Sequence, residues 1–310
     1  MDIESEIVRR TGLWRVISSE NTGELEPARL RDLGIYGGAQ GVWVDKAHTA
    51  NPEKAPDGIT VSILHTGRHY ADDLSDDGLI YHYPKTNRPL SRDTGEIQAT
   101  KNAMALRVPI FVVLPSTKSM SKRTLRVGWV SDFDDDNAMF LILFSNQMDV
   151  STASMYMPAE SASEPFILED DNRIRRQSTA LARTGQQRFR FHVLAKYGPQ
   201  CAVCGISHPQ LLKAAHIRGK ADRGSDDWRN GIVLCATHHD AYDSFLFGVE
   251  PTTLSLKINP KVTAEIGIQH DALKLLKNRP HQDALNWRWE VTRKEWGGGH
   301  LGLTTGLTAL

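Results

Sequence analysis

A chain of 310 residues is long enough for about two domains of ordinary size. Its 37 Lys plus Arg balance 37 Asp plus Glu, and with 40% apolar and 24% charged residues it is neither disordered, fibrous nor collagen-like. No run of about 18 or more apolar residues occurs, which excludes a membrane-spanning helix. The opening MDIESEIVRRTGLWRV lacks the apolar core of a secretion signal, which predicts a cytoplasmic protein.

Residues 1–150 read as mostly β. Short apolar runs recur as GVWVDK, ITVSILHT, GLIYHYP, PIFVVLP, LRVGWVS and AMFLILFS, divided by Gly, Pro and Asp/Asn clusters. TGEIQATKNAMAL, Thr94–Leu106, is the helix of this half, with Thr94 as its cap. One helix among many strands predicts a curved sheet or a partly open barrel. Residues 151–172 are small, polar and acidic with two prolines, and read as a linker in which Phe166, Ile167 and Leu168 are free to dock.

The charge then segregates. Arg173, Arg175, Arg176, Arg183, Arg188, Arg190 and Lys196 have no acidic residue among them. Such a run is either a solvated helix face or a phosphate-contacting segment, and its place just before the cysteines favours DNA. The part after about residue 260 is expected to pack as a helix plus an extended piece. Residues 296–310 read as a flexible tail.

The three cysteines all lie at ligand spacing. Cys201-Ala-Val-Cys204 is followed thirty residues later by Cys235-Ala-Thr-His238. Two such pairs supply the four ligands that tetrahedral zinc needs, and a closed four-ligand site is structural. An odd cysteine count without a secretion signal argues against disulfides. The bland alternative is three unrelated buried thiols.

Between the two pairs run LLKAAHIRG and DDWRNGIVLCATHHDAYDSFLF. This order resembles an HNH, or ββα-metal, nuclease domain of the zinc-stapled kind, over roughly Gly185–Glu250. The resemblance implies that His216 is the general base, that Asn230 orients it or its backbone, and that His239 binds a catalytic divalent ion. Asp243 lies four residues on, on the same helix face, and is expected to share a Mg²⁺ or Mn²⁺ ion with His239. Where many members carry His or Asp before the base, this chain has Ala215, which leaves the coordination number open. Arg218, Lys220 and Arg223 are candidate contacts for flanking phosphates.

In the first half, LGIYGGAQG, then the run from Asp57 to Arg88, then ATKNAMALRVPIFVVL follow the order of an SRA domain. That resemblance implies a PUA-like curved β-barrel that flips a modified base out of DNA. Tyr70 and Tyr83 match the aromatic walls and Asp73 the residue reading the base edge, with Asp72 as its alternate because one residue is inserted before Gly78. Pro84 follows Tyr83 where Thr is usual, and the later Tyr-Asp-Gly signature is missing. Arg68 and Arg88 flank the pocket and are expected to contact DNA, as are Arg183, Arg188 and Arg190. An ordinary β-hairpin accounts for the same tyrosines.

The expectation is therefore an α+β protein: an SRA/PUA-like curved β-barrel over 1–150, a linker over 151–172, a zinc-stapled HNH domain with a C-terminal extension over 173–295, and a tail. Its function would be a modification-dependent DNA endonuclease of the type IV, McrA-like class, sensing 5-methyl- or 5-hydroxymethylcytosine. It would restrict foreign DNA, be nucleoid-associated when bound, and require a homodimer or two events for a double-strand break. The alternatives are an HNH nuclease with a modification-independent first half, and a non-catalytic zinc-stabilised DNA-binding protein.

Overall fold

All six apolar runs of the first half become strands of one sheet. The computed structural model describes residues 2–20, 23–37, 41–66, 73–157, 165–169, 179–263 and 265–297, the side chains of 179–184 excepted. The chain divides into two units, Met1–Glu164 with Ser178–Arg188, and Pro165–Gln177 with Phe189–Leu310.

The first unit begins with α1 (Ile3–Ser19) and α2 (Pro27–Asp32), neither of which was expected. Asp2 caps α1 by accepting a hydrogen bond from the Ser5 amide, and Pro27 sits in the first turn of α2, where its missing N–H costs nothing. The sheet comprises β1 (Val42–Val44), β2 (Thr60–Leu64), β3 (Asp73–Leu74), β4 (Gly78–His82), β5 (Ile110–Pro115), β6 (Arg123–Asp134) and β7 (Met139–Ser145), in the order β1-β2-β5-β6-β7-β4-β3. Only β2 and β5 pair in parallel; the other neighbours are antiparallel. A short helix, α3 (Lys46–Thr49), follows β1.

The expected barrel is corrected here. Among the described residues the sheet is open, with the three-residue β1 at one edge and the two-residue β3 at the other. Its strands read as continuous apolar runs because both faces are covered. Ile63, Leu79, Tyr81, Ile110, Val112, Phe140 and Ile142 pack on one face with Ile97 and Met104 of α4 (Leu90–Ala105). Val61, Phe111, Val113 and Val127 pack on the other with Leu30 of α2 and Trp14 of α1. The α4 helix starts four residues before the expected Thr94, behind Pro89 as N-cap; Thr94 instead bonds back to the Leu90 carbonyl.

One buried ion pair ties α1 to this sheet. Arg10 is fully buried. It donates to Glu6 Oε1 at 2.7 Å, to the Thr60 carbonyl at 2.8 Å and to the Pro109 carbonyl at 2.7 Å. Burial holds the Arg10 pKa down to about 10. The expected linker opens on a 3-10 turn at Val150–Met155, after which Tyr156 stacks on the buried Trp129.

The second unit is made of short pieces. Helix α5 (Thr179–Tyr197) supplies Phe189, Phe191, Val193 and Tyr197 to its core from the part that belongs to this unit. A hairpin of β8 (Leu212–His216) and β9 (Gly231–Cys235) leads into α6 (Ala236–Asp243). This is the strand-strand-helix order expected of a ββα module. A second small hairpin, β10 (Phe247–Val249) with β11 (Leu256–Ile258), and α7 (Gln282–Gly297) complete it. The expected docking of residues 166–168 has a definite form. Phe166 stacks on His281 with ring centroids 3.7 Å apart, the Arg229 guanidinium lies over the Phe166 ring at 5.3 Å, and the Leu168 carbonyl accepts from the Ser225 amide. The expected tail beyond Gly297 lies outside the described residues. No described helix is long and apolar enough to cross a membrane.

Candidate active site and metal centre

The cysteine cluster forms from two tight turns. Cys201 and Cys204 flank a loop closed by the Gly205 amide on the Cys201 carbonyl, and Gly205 takes φ +73°, a left-handed conformation suited to glycine. Cys235 ends β9 and His238 lies one turn into α6. One ligand atom from each of the four residues lies within 4.8 Å of every other. Cys204 Sγ is 3.9 Å from Cys235 Sγ, and His238 Nδ1 is 3.0 Å from Cys235 Sγ and 3.7 Å from Cys201 Sγ. Ligands about 2.3 Å from a tetrahedral zinc stand about 3.8 Å apart, so this donor set fits that ion.

The surroundings suit such a centre. His238 Nε2 is 3.1 Å from the Ile266 carbonyl, which places the ring proton there and leaves the Nδ1 lone pair facing the sulfurs. Burial pushes the Cys201 thiol up, but the hydrogen bond with His238 and three backbone amides outweigh it and hold the pKa down to about 6. Burial and the neighbouring sulfurs push Cys204 up to about 12. The contact with Cys201 outweighs burial at His238, whose pKa is raised.

The expected catalytic residues gather at the far end of the same hairpin. In the β8–β9 register, Leu212 pairs with Cys235 at one end and His216 with Gly231 at the other. The His216 ring stacks on Phe189 at 3.8 Å between centroids and 6° between planes, and its Nε2 is 3.0 Å from Asp226 Oδ1. A Cβ on Gly231 would stand 2.5 Å from Val193 Cγ2 and 2.9 Å from Phe189 Cζ, so glycine there lets Phe189 reach the histidine.

Asn230 is fully buried and acts as a clasp on the loop between the strands. Its Oδ1 accepts from the Arg218 amide at 2.9 Å, and its Nδ2 donates to the Arg218 and Ser225 carbonyls at 3.1 and 3.0 Å. Its own carbonyl accepts from Ile217. Every bond named goes to backbone, so the residue shapes the loop that follows His216. Gly224 completes that turn, where a Cβ would collide with the Arg218 carbonyl.

His239 and Asp243 lie one turn apart on α6, with Nε2 and Oδ2 3.6 Å from each other and side chains 31% and 57% exposed. A solvent-facing imidazole and carboxylate at that separation suit two adjacent ligands of a divalent ion. Ala215 is buried and contributes nothing to such a site.

The basic residues have other partners. Arg88 reaches Asp93 and Glu96 at 2.8 Å, and these bonds, Glu96 foremost, raise its pKa. Arg188 donates to the Met157 carbonyl and to Ser131 Oγ, and burial lowers its pKa. Arg190 donates to the Leu212 carbonyl, and burial takes its pKa down to about 10. Each of these three guanidiniums makes bonds inside its own unit, since a long basic side chain can turn inward along apolar surface. Arg218 Nη1 and Arg223 Nη2 hold the two oxygens of Glu169 at 2.8 and 2.6 Å. Lys220 bonds Asp226 at 2.7 Å. Arg68 lies outside the described residues, as does the side chain of Arg183.

Of the expected base-pocket residues, Asp73 and Tyr83 are described, and they lie on opposite faces of the sheet. Tyr70 and Asp72 lie outside the described residues. Asp73 pairs with Ile80 across β3 and β4, so it shares the face of Ile80, whereas Tyr83 packs with Leu79 and Tyr81 on the opposite face. The Tyr83 ring lies 4.5 Å from Phe140 and its hydroxyl donates to Asp135 at 2.8 Å. Burial first, then Asp135, raises its pKa.

Asp226, Phe189 and Glu169 escaped the sequence reading. Asp226 stands in a GSDDWRN turn at no ligand spacing, and only folding sets it against His216. A family comparison covers this hairpin. The model of a family described as HNH endonuclease matches residues 201–250, and the chain carries an HNH endonuclease domain there. No curated protein matches the chain. Among solved structures it is similar to one described as "Modification dependent TagI restriction endonuclease", at 15% identity and a TM-score of 0.30 over 86% of this chain and 90% of that one. It is also similar to the "Type IV phosphorothioation-dependent restriction endonuclease ScoMcrA", at 14% identity and a TM-score of 0.26 over 88% and 70% of the two chains.

Proposed function

We propose that the protein is a DNA endonuclease whose second unit hydrolyses a phosphodiester. The observation that carries this is the hairpin itself: an HNH domain in which His216 ends β8, Asn230 clasps the loop behind it, and His239 and Asp243 project from α6. His216 takes a proton from a water that attacks phosphorus. The P–O3′ bond breaks, leaving a 5′-phosphate and a 3′-hydroxyl. A divalent ion such as Mg²⁺ or Mn²⁺, held by His239 and Asp243, would supply charge stabilisation at the phosphate and the leaving oxygen. A zinc ion held by Cys201, Cys204, Cys235 and His238 would be structural.

The same proposal gives the choice of target to the first unit, with modified cytosine in foreign DNA as the ligand and Tyr70, Asp73 and Tyr83 as pocket members. Its support is the SRA-like residue order. For Tyr83 to stack on an extruded base, its ring must leave Phe140 and Asp135. That requirement, and the opposite faces of Asp73 and Tyr83, favour a second reading: an HNH nuclease whose first unit binds DNA or a protein without regard to modification. Matched plasmids that are unmodified, 5-methylcytosine-bearing, 5-hydroxymethylcytosine-bearing or phosphorothioated separate the two. Preferential cutting of a modified plasmid supports the first reading, and equal cutting of all supports the second. Tyr83→Ala should abolish a preference for modified cytosine; an unchanged preference removes Tyr83 from the pocket.

A further inference from the structure

We infer that Asp226 is a positioning residue that fixes the proton-accepting nitrogen of His216. The inference rests on the nuclease reading of the hairpin. Asp226 Oδ1 lies 3.0 Å from His216 Nε2 and 2.7 Å from Lys220 Nζ, and the side chains of His216 and Asp226 are only 17% and 13% exposed. A carboxylate can only accept at that contact, so the ring proton resides on Nε2 and the lone pair on Nδ1. The nitrogen that receives the water's proton is therefore Nδ1.

Three further contacts hold this arrangement. Phe189 stacks flat against the imidazole and prevents the ring from turning over. Asn230 closes the loop at Arg218 and Ser225, and Ser225 precedes Asp226 directly. Asn230 thus reaches the base through the backbone that carries Asp226. Lys220 contacts the same oxygen, Oδ1, so a cation and the imidazole together fix where that oxygen lies. The charged groups set against His216 are Asp226 and, through it, Lys220; α5 presents the uncharged Phe189 and β9 the uncharged Gly231. Once the imidazole has gained its proton, the carboxylate stabilises the cation, as a buried acid does for a catalytic histidine elsewhere.

The test uses the full chain with a plasmid it cuts. Asp226→Asn should lower kcat about 100-fold, the lower end of what a positioned general base contributes, with KM for DNA nearly unchanged. Asp226→Glu should restore part of the rate. Zinc content and melting temperature should stay at wild-type values in both variants. Full activity in Asp226→Asn, or a loss that comes with lost zinc or a lowered melting temperature, overturns the assignment while leaving His216→Ala to judge the nuclease reading. A wild-type protein that cuts no DNA overturns both. Nitrogen-15 spectra of the wild-type imidazole give a reading that does not depend on activity: the Nε2–H tautomer supports the inference, and a dominant Nδ1–H tautomer contradicts it.

Discussion

In the first unit a seven-stranded sheet is buried on both faces, and apolar side chains from nearly every strand share the work of holding it. In the second unit the described strands have no more than five residues, and the hairpin that carries the candidate site is fastened at one end by the Cys3His cluster and at the other by Asn230. A broad core spreads stability over many small contributions. A small module lacks that area, so a few strong cross-links must hold it, and these also place chemistry with little slack. The His216 end can be shaped by one buried amide because the other end is already tied.

That contrast can be broken, and the largest effect is expected at the cysteines. Cys204→Ser, or removal of zinc by a chelator, should unfold the second unit and leave the sheet intact, since structural zinc contributes on the order of 10 kcal/mol to modules of this kind. Hydrogen exchange read separately on peptides from the two units measures this directly. Retained protection around β8 and β9 without metal would count against the cluster as a zinc site.

In the first unit a polar change of comparable depth should cost less. Glu6→Gln removes the carboxylate that faces buried Arg10 and should destabilise the sheet unit by about 3–5 kcal/mol, the usual cost of leaving half of a buried pair. Burial raises the Glu6 pKa, but Arg9 and Arg10 outweigh it and hold it below the ordinary range. A depressed folded-state pKa means stability present above the unfolded value of about 4.3 and lost as pH falls through the folded value. The wild-type sheet unit should therefore weaken as pH falls below about 4, and Glu6→Gln should show less of that dependence in acid denaturation curves. A smaller effect is expected from Gly231→Ala, whose methyl would press on Val193 and Phe189. A loss of about 1–3 kcal/mol in thermal melting, with slower cutting as Phe189 shifts under His216, would show that overpacking matters most where the module is tightly tied.

Much of this was legible in the sequence, for physical reasons. The six strand runs were visible because residues such as those of PIFVVLP and AMFLILFS are apolar without interruption, as strands buried on both faces must be. The same absence of alternation hid where the edges lie, so a curved sheet and a partly open barrel remained equally compatible with the pattern. Helix α1 was missed because its buried face includes Glu6 and Arg10, which read as surface charges until they meet each other and the Thr60 carbonyl. The cluster ligands were legible from spacing alone, since CxxC and CxxH are local turns. Asp226 was not, because a carboxylate ten residues from its histidine carries no local signature. The inward bonds of Arg88, Arg188 and Arg190 were hidden for the same reason: sequence records their charge and not the carbonyls or carboxylates that these side chains meet.

On the proposed function, this hairpin cuts DNA with His216 as its base. The most direct measurement is plasmid cleavage in Mg²⁺ and in Mn²⁺ by the wild type and by His216→Ala, with DNA binding measured on both. Cutting by the wild type, a loss of at least about 100-fold in the variant, and retained binding are expected. Equal cutting by the two proteins, or binding without cutting by both, would contradict it.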